Sequence, residues 1–65
     1  MGLNEFKGKY CRILIAFEGQ LLFYRATVLD VTKNHIIFRD KFGRNYGYDV
    51  ALVREINECN KEVTM

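Results

Sequence analysis

The chain has 65 residues, 49% hydrophobic and 28% charged, which is the size and composition of one small globular domain. Ten Lys and Arg against eight Asp and Glu give a formal charge of +2, a surplus too weak to favour a duplex-DNA binder. No apolar run approaches the ~20 residues that a membrane helix needs, and residues 1–9 lack the apolar region of a signal peptide. We therefore expect a cytoplasmic protein with no membrane partner.

The first predicted elements are a helical turn and a strand. Gly2 to Lys7 can form one helical turn, which Gly8 would end and whose apolar side chains could cover an open end of a barrel. Tyr10 to Phe17 is rich in β-forming residues. Its odd positions form one apolar face, which predicts a strand packed on the core: Cys11, Ile13, Ile15 and Phe17.

The second predicted strand is unusually long. After a turn at residues 18–20, in which Gly19 supplies a positive φ, it runs from Leu21 to Val31. A strand of this length in so small a domain must bend to serve two sides of a barrel, and the small Ala26 is the expected bend point. One of its faces would expose Leu21, Phe23 and Leu29, which makes these three the predicted interface for a homo-oligomer.

Three shorter strands complete the predicted fold. They cover His35 to Asp40, Asn45 to Val50 and Val53 to Ile56, and a hairpin turn with a left-handed Gly43 joins the first two. A flat sheet would leave two long edges exposed. We therefore predict an all-β fold: a five-stranded, strongly bent antiparallel small barrel of the Sm-like or Src-homology-3-like kind, with a short N-terminal helical turn. The domain would span residues 1–57, followed by a frayed polar tail over residues 58–65.

Two motifs carry a resemblance to a known family. The first is Gly8-Lys9-Tyr10-Cys11-Arg12, a GK pair that opens a basic strand. The second begins at the turn glycine, with its members at Gly19, Leu22, Asp30 and Asn34. Over Leu3 to Ile56 the chain resembles an Sm-like (LSm/Hfq-type) domain.

The resemblance implies a ring of subunits in which Asn34 hydrogen-bonds an RNA base and Asp30 helps to hold its loop. Two positions depart from the family pattern. Thr32 stands where an aromatic residue or His usually stacks on the base, and residues 47–50 lack the Arg-Gly or Lys-His of the second family motif. The spacing of Asp30 and Asn34 is also typical of ordinary turns, in which both side chains bond the backbone.

Enzyme and metal chemistry have little support in the sequence. There is no serine, no glycine-rich phosphate loop and no CxxC pair, and His35 is the one histidine. Cys11 and Cys59 could form one disulfide, although a buried thiol and an exposed one are favoured. We expect no cofactor, metal, catalysis or small-molecule substrate, and self-association as the remaining route to stability for so small a core.

Two hypotheses of function follow. In the first, the domain self-associates and binds single-stranded RNA. Asp30, Lys33, Asn34 and His35 would then form the base-reading loop, and three cations near the hairpin would contact phosphates: Arg39, Lys41 and Arg44. In the second, the domain is a protein-assembly module with no nucleic-acid role, and the face with Phe23 is its contact surface.

Overall fold

The computed structural model describes residues 3–59, which form one five-stranded antiparallel sheet with two short 3₁₀ turns. A 3₁₀ turn over Leu3–Phe6 precedes strands β1 (Tyr10–Phe17), β2 (Gln20–Val31) and β3 (His35–Asp40). Strand β4 (Asn45–Asp49), a 3₁₀ turn over Val50–Leu52 and strand β5 (Val53–Glu58) follow. The strand order is β4-β3-β2-β1-β5, so the predicted all-β fold is confirmed. No helix in this range is long and apolar enough to cross a membrane.

A two-residue turn joins β1 to β2 and sets their register. Phe17 pairs with Gln20, which leaves only Glu18 and Gly19 in the turn. Both have positive φ, 52° and 78° respectively, as a type I′ hairpin turn requires. Every β1 residue then has a fixed partner in β2, from Ala16 opposite Leu21 to Tyr10 opposite Thr27.

Strand β2 serves two neighbours, as its length predicted. Residues 20–27 pair with β1 and residues 26–31 pair with β3. The register shifts between Val28 and Asp30, so Leu29 is the extra residue of a β-bulge. The irregularity therefore lies at Leu29 and not at the expected Ala26, whose small side chain is instead buried where β2 has partners on both sides.

The core lies inside the bent sheet. Three neighbouring strands supply seven fully buried side chains: Cys11, Ile13, Ile15, Ala26, Val28, Ile36 and Phe38. Leu3 and Phe6 of the first 3₁₀ turn pack against this cluster, as do Val50 and Leu52 of the second. A single sheet can enclose this many side chains only by curling around them. Burying apolar surface stabilises a protein by roughly 25 cal/mol for each Å² removed from water. Burial of these side chains is therefore the main term that stabilises the domain.

The expected barrel closure is not formed by hydrogen bonds. Among residues 3–59, β4 and β5 do not pair with each other, so each remains an edge of the sheet. The C-terminal strand is also longer than predicted. Glu58 belongs to β5, and the Cys59 N–H donates to the Tyr10 carbonyl at 2.9 Å, so the expected tail does not begin at residue 58. The rest of that tail, residues 60–65, lies outside the described residues.

Candidate nucleic-acid interface

The loop between β2 and β3 is held by Thr32. The Thr32 hydroxyl accepts the N–H of His35 at 3.0 Å and of Asn34 at 3.3 Å, and the Thr32 N–H donates to the His35 carbonyl at 2.8 Å. The Asn34 carbonyl accepts the Val50 N–H at 2.8 Å. The hydroxyl thus closes the turn together with the backbone hydrogen bond between Thr32 and His35. Thr32 thus has a structural role in the loop. This role accounts for a threonine at the position where the resembled family usually has a residue that stacks on the base.

The loop presents three polar side chains to solvent. Lys33, Asn34 and His35 are all exposed, and no hydrogen bond within residues 3–59 uses the Asn34 side chain. Its amide can therefore donate and accept toward a ligand.

Asp30 does not hold this loop, in contrast to what the family resemblance implied. Its Oδ1 accepts the N–H of Val31 at 2.9 Å and lies 3.4 Å from the Lys7 ammonium. The carboxylate therefore fixes the β-bulge and pairs with the segment before β1. A pair this exposed contributes little to stability, on the order of 0–1 kcal/mol.

Asp40 organises the hairpin turn at the other end of β3. Its Oδ1 accepts the N–H groups of Arg44 and Phe42, each at 2.9 Å, and its Oδ2 accepts the Tyr46 hydroxyl at 3.3 Å. The Arg44 N–H lowers the pKa of the Asp40 carboxyl most, and the Phe42 N–H, the Tyr46 hydroxyl and the Arg44 charge lower it further. The carboxylate thus accepts hydrogen bonds within the turn, and the cationic side chains of the turn are exposed to solvent.

Cations of this hairpin are free of ion pairs. Within residues 3–59 the two salt bridges are Lys7 with Asp30 and Lys9 with Glu58, so none involves the three predicted phosphate contacts, Arg39, Lys41 and Arg44. The Arg39 Nε donates to Asn45 Oδ1 at 2.9 Å, and the Lys41 ammonium lies 5.5 Å from the centre of the Phe42 ring. Phe42 itself is 77% exposed. A solvent-facing ring among unpaired cations is the combination that binds single-stranded nucleic acids.

The two predicted groups lie at opposite ends of β3. From His35 to Lys41 the chain advances six residues, or about 20 Å at the rise of a strand. The outward-facing side chains of β3 connect them, since His35, Ile37 and Arg39 alternate with the buried Ile36 and Phe38. Gly47 of β4 lies opposite Ile37 on one side, so the row is open there, and Asp30 of β2 lies opposite it on the other side, with its carboxylate 3.4 Å from the Lys7 ammonium.

A cleft of about 510 Å³ opens beside the hairpin on the same side of the sheet. Tyr10 and Leu29 line it together with Arg39 and Lys41. The sequence did not indicate Tyr10 as a member of this site. The strand register is what shows that Tyr10 belongs to the site, because Thr27 pairs with Tyr10 on one side and with Arg39 on the other.

The predicted interface residues do not form one patch. Leu21 and Phe23 are 66% and 57% exposed, as expected for an interface. Leu29, the residue of the β-bulge, is half-buried and lines the cleft. The residue missing from the prediction is Leu14, which pairs with Phe23 across the β1–β2 ladder.

Cys11 and Cys59 are both free thiols. Burial raises the pKa of Cys11 to about 11, with smaller contributions from Cys59 and Glu58. Such a thiol is protonated at neutral pH and is a poor nucleophile. No group of three His, Cys, Asp or Glu side chains within the described range is arranged to hold a metal ion.

These features define a small, open, all-β domain with a polar row on its outer face. Comparison of the chain with protein-family models, with curated proteins and with solved structures gave no match.

Proposed function

We propose that this protein is a non-catalytic, cytoplasmic, Sm-like small β domain that self-associates and binds single-stranded RNA. The RNA would lie along the outer face of β3, on a surface that we term the β3 track: His35, Ile37 and Arg39. The observation that carries the proposal is that this row joins the exposed Asn34 loop to the unpaired cations of the hairpin.

Each part of the β3 track has a chemical role in this proposal. The Asn34 amide offers a donor and an acceptor to one base edge, flanked by Lys33 and His35. Ile37 opposite Gly47 leaves the β4 side of the row open to the backbone of the RNA, and the Asp30 carboxylate on its β2 side is paired with Lys7. At the far end Arg39, Lys41 and Arg44 neutralise phosphates, and the exposed Phe42 ring can stack on a base.

The buried, protonated Cys11 supports a non-catalytic role, because a thiol is a poor nucleophile until it loses its proton. The net charge of +2 favours a short single strand over duplex DNA, since few phosphates could be neutralised at once.

Fluorescence anisotropy with labelled oligo-U and oligo-A at low salt tests the proposal. We expect Lys41→Ala to weaken binding and to lower the salt dependence by about one counterion, since one phosphate contact is lost. Lys9→Ala is the matched control. It removes the same charge, but from a side chain whose ammonium is already paired with Glu58 at 3.6 Å. Asn34→Ala should reduce the preference between the two oligomers.

Absence of binding to either oligomer at low salt would refute the RNA role. The second candidate would then stand, a protein-assembly module without a nucleic-acid partner. The exposed Leu21 and Phe23 side chains favour it, because adjoining large apolar groups exposed on a small domain are typical of contact surfaces.

A further inference from the structure

The outer face of the β1–β2 hairpin carries an apolar patch that no described element covers. We term it the hairpin patch and define it by Leu14, Ala16, Leu21 and Phe23. The register places Leu14 opposite Phe23 and Ala16 opposite Leu21, so the four side chains form two adjacent rows. None of the four belongs to the residues that pack in or against the core.

Charges flank the hairpin patch with opposite sign at its two ends. The outer-face positions along β1 are Arg12, Leu14 and Ala16, and the exposed Glu18 follows two residues later in the turn. The order is therefore positive, apolar, apolar, negative, and it is symmetric about Ile15. Arg25 lies opposite Arg12 and adds a second positive charge at that end, and Glu55 of β5 lies opposite Leu14. The Arg12 guanidinium lies 5.6 Å from the centre of the Phe23 ring, which fixes the positive end against the patch.

This order is self-complementary. When two copies stack face to face about a two-fold axis perpendicular to β1, the two β1 strands run antiparallel across the interface. The row of Leu14 and Phe23 then faces the row of Ala16 and Leu21 of the other copy. Each Arg12 faces the Glu18 of the other copy, so both ends of the interface pair opposite charges.

The backbone at Glu18 is a second observation that points to this contact. Glu18 is the one non-glycine residue within residues 3–59 with a positive φ, at 52°. Asn or Asp is favoured at this position of a type I′ turn, and Glu is not. Glu18 also makes no salt bridge within the described range, so nothing in the isolated domain compensates for its presence there.

We propose that a second copy of this chain docks on the hairpin patch and forms a two-fold dimer held by Phe23 and by two Arg12–Glu18 pairs. The inference rests on the self-association in the proposed function and specifies its surface, and it does not depend on RNA binding. The stack leaves the β3 track uncovered, because that track lies on β3 and its hairpin, two strands away from β1.

Mass in solution, measured by sedimentation or light scattering over a range of protein concentrations without RNA, tests the surface. We expect a dimer for the native chain and a monomer for Phe23→Asp, because a carboxylate would be buried at the centre of the patch. Phe42→Asp is the matched control, since it makes the same change at a ring that is exposed but outside the patch, and it should remain dimeric.

A charge exchange tests the orientation. Arg12→Glu alone and Glu18→Arg alone should each raise the dimer dissociation constant about tenfold, because symmetry places two like-charge contacts in every dimer. The double variant Arg12→Glu with Glu18→Arg should return the constant toward the native value. Failure of that rescue would overturn the two-fold arrangement.

The remaining outcomes separate this inference from the proposed function. If the native chain assembles and the Phe23→Asp variant assembles equally, the hairpin patch is not the contact surface. Self-association would still stand. A native chain that stays monomeric at all concentrations would overturn both. Oligo-U binding by the monomeric Phe23→Asp variant would show that the RNA role stands without the dimer.

Discussion

The hydroxyl oxygens of Tyr24 and Tyr48 lie 2.6 Å apart. Tyr24 belongs to β2 and Tyr48 to β4, and β3 lies between these strands in the sheet. Both rings pack on the buried Phe38, with centroid distances of 5.1 Å and 6.0 Å, and they lie 5.9 Å from each other, so the three rings form one cluster. This contact between strands that are not neighbours is possible only because the sheet curls, so it stabilises the curvature on which the core depends.

The tyrosine pair should therefore be coupled in stability. We expect Tyr24→Phe and Tyr48→Phe each to lower the free energy of unfolding by about 1 kcal/mol, the net value of one hydrogen bond. The double variant should cost less than the sum of the single ones, because both remove the same bond. Urea denaturation of the four proteins measures the coupling, and strict additivity would show that the two hydroxyls contribute independently.

Stability should fall in alkaline solution. Burial raises the pKa of Cys11 from its ordinary 9.0 to about 11, and burial, followed by the hydrogen bond to Tyr48, raises the pKa of Tyr24 as well. The unfolded chain therefore releases protons at a lower pH than the folded one, and stability present below pH 9 is lost as pH rises through about 11. Denaturation midpoints at successive pH values should show this decline, and Cys11→Ala should make it shallower. A flat profile between these values in the native protein would contradict the assignment.

The β1–β2 turn should be improved by substitution. Glu18→Asn places a residue that tolerates positive φ before Gly19, and we expect it to stabilise the folded chain by about 0.5–1 kcal/mol. Glu55→Asn, an exposed change within a strand, is the control and should give no gain. Unfolding is best measured at a protein concentration low enough to keep the chain monomeric. A loss of stability in Glu18→Asn would mean that Glu18 makes a favourable contact within its own chain.

Local patterns predicted the elements of this fold well. The alternation of apolar residues in β1 identified Cys11, Ile13 and Ile15 as its buried face, whereas Phe17, expected on the same face, is 39% exposed at the end of the strand. Gly19 and Gly43 were correctly assigned positive φ. Phe23 was expected on the surface, and it is 57% exposed. These features depend on period-two alternation and on turn chemistry, both of which act over a few residues.

Properties that depend on register were harder to predict. The pairing of Leu14 with Phe23 follows from a two-residue turn, whereas the expected turn had three residues. Leu29 lies in the half of β2 that pairs with β3 and lines the cleft, away from Leu21 and Phe23 in the half that pairs with β1, and no local signal marks a bulge at a leucine. Closure between β4 and β5 was expected from the cost of exposed edges, a global argument that does not specify which strands must meet.

The central claim is that single-stranded RNA lies along the β3 track, and Gly47 provides the most direct test. A Cβ at Gly47 would meet only the Ile37 Cγ1, at 3.8 Å, and the residue does not have a positive φ, so a side chain can be added without strain. Gly47→Glu would place a carboxylate in the middle of the track. Gln20→Glu adds the same charge at the exposed first residue of β2, outside the track.

The deciding measurement is oligo-U anisotropy at low salt for the native chain, Gly47→Glu and Gln20→Glu, each first shown to have native-like stability. We expect Gly47→Glu to weaken binding by about tenfold or more, as a like charge against phosphate and a side chain across the path both oppose it. Gln20→Glu should bind within about twofold of the native chain. Equal weakening by both variants, or none by Gly47→Glu, would contradict the β3 track.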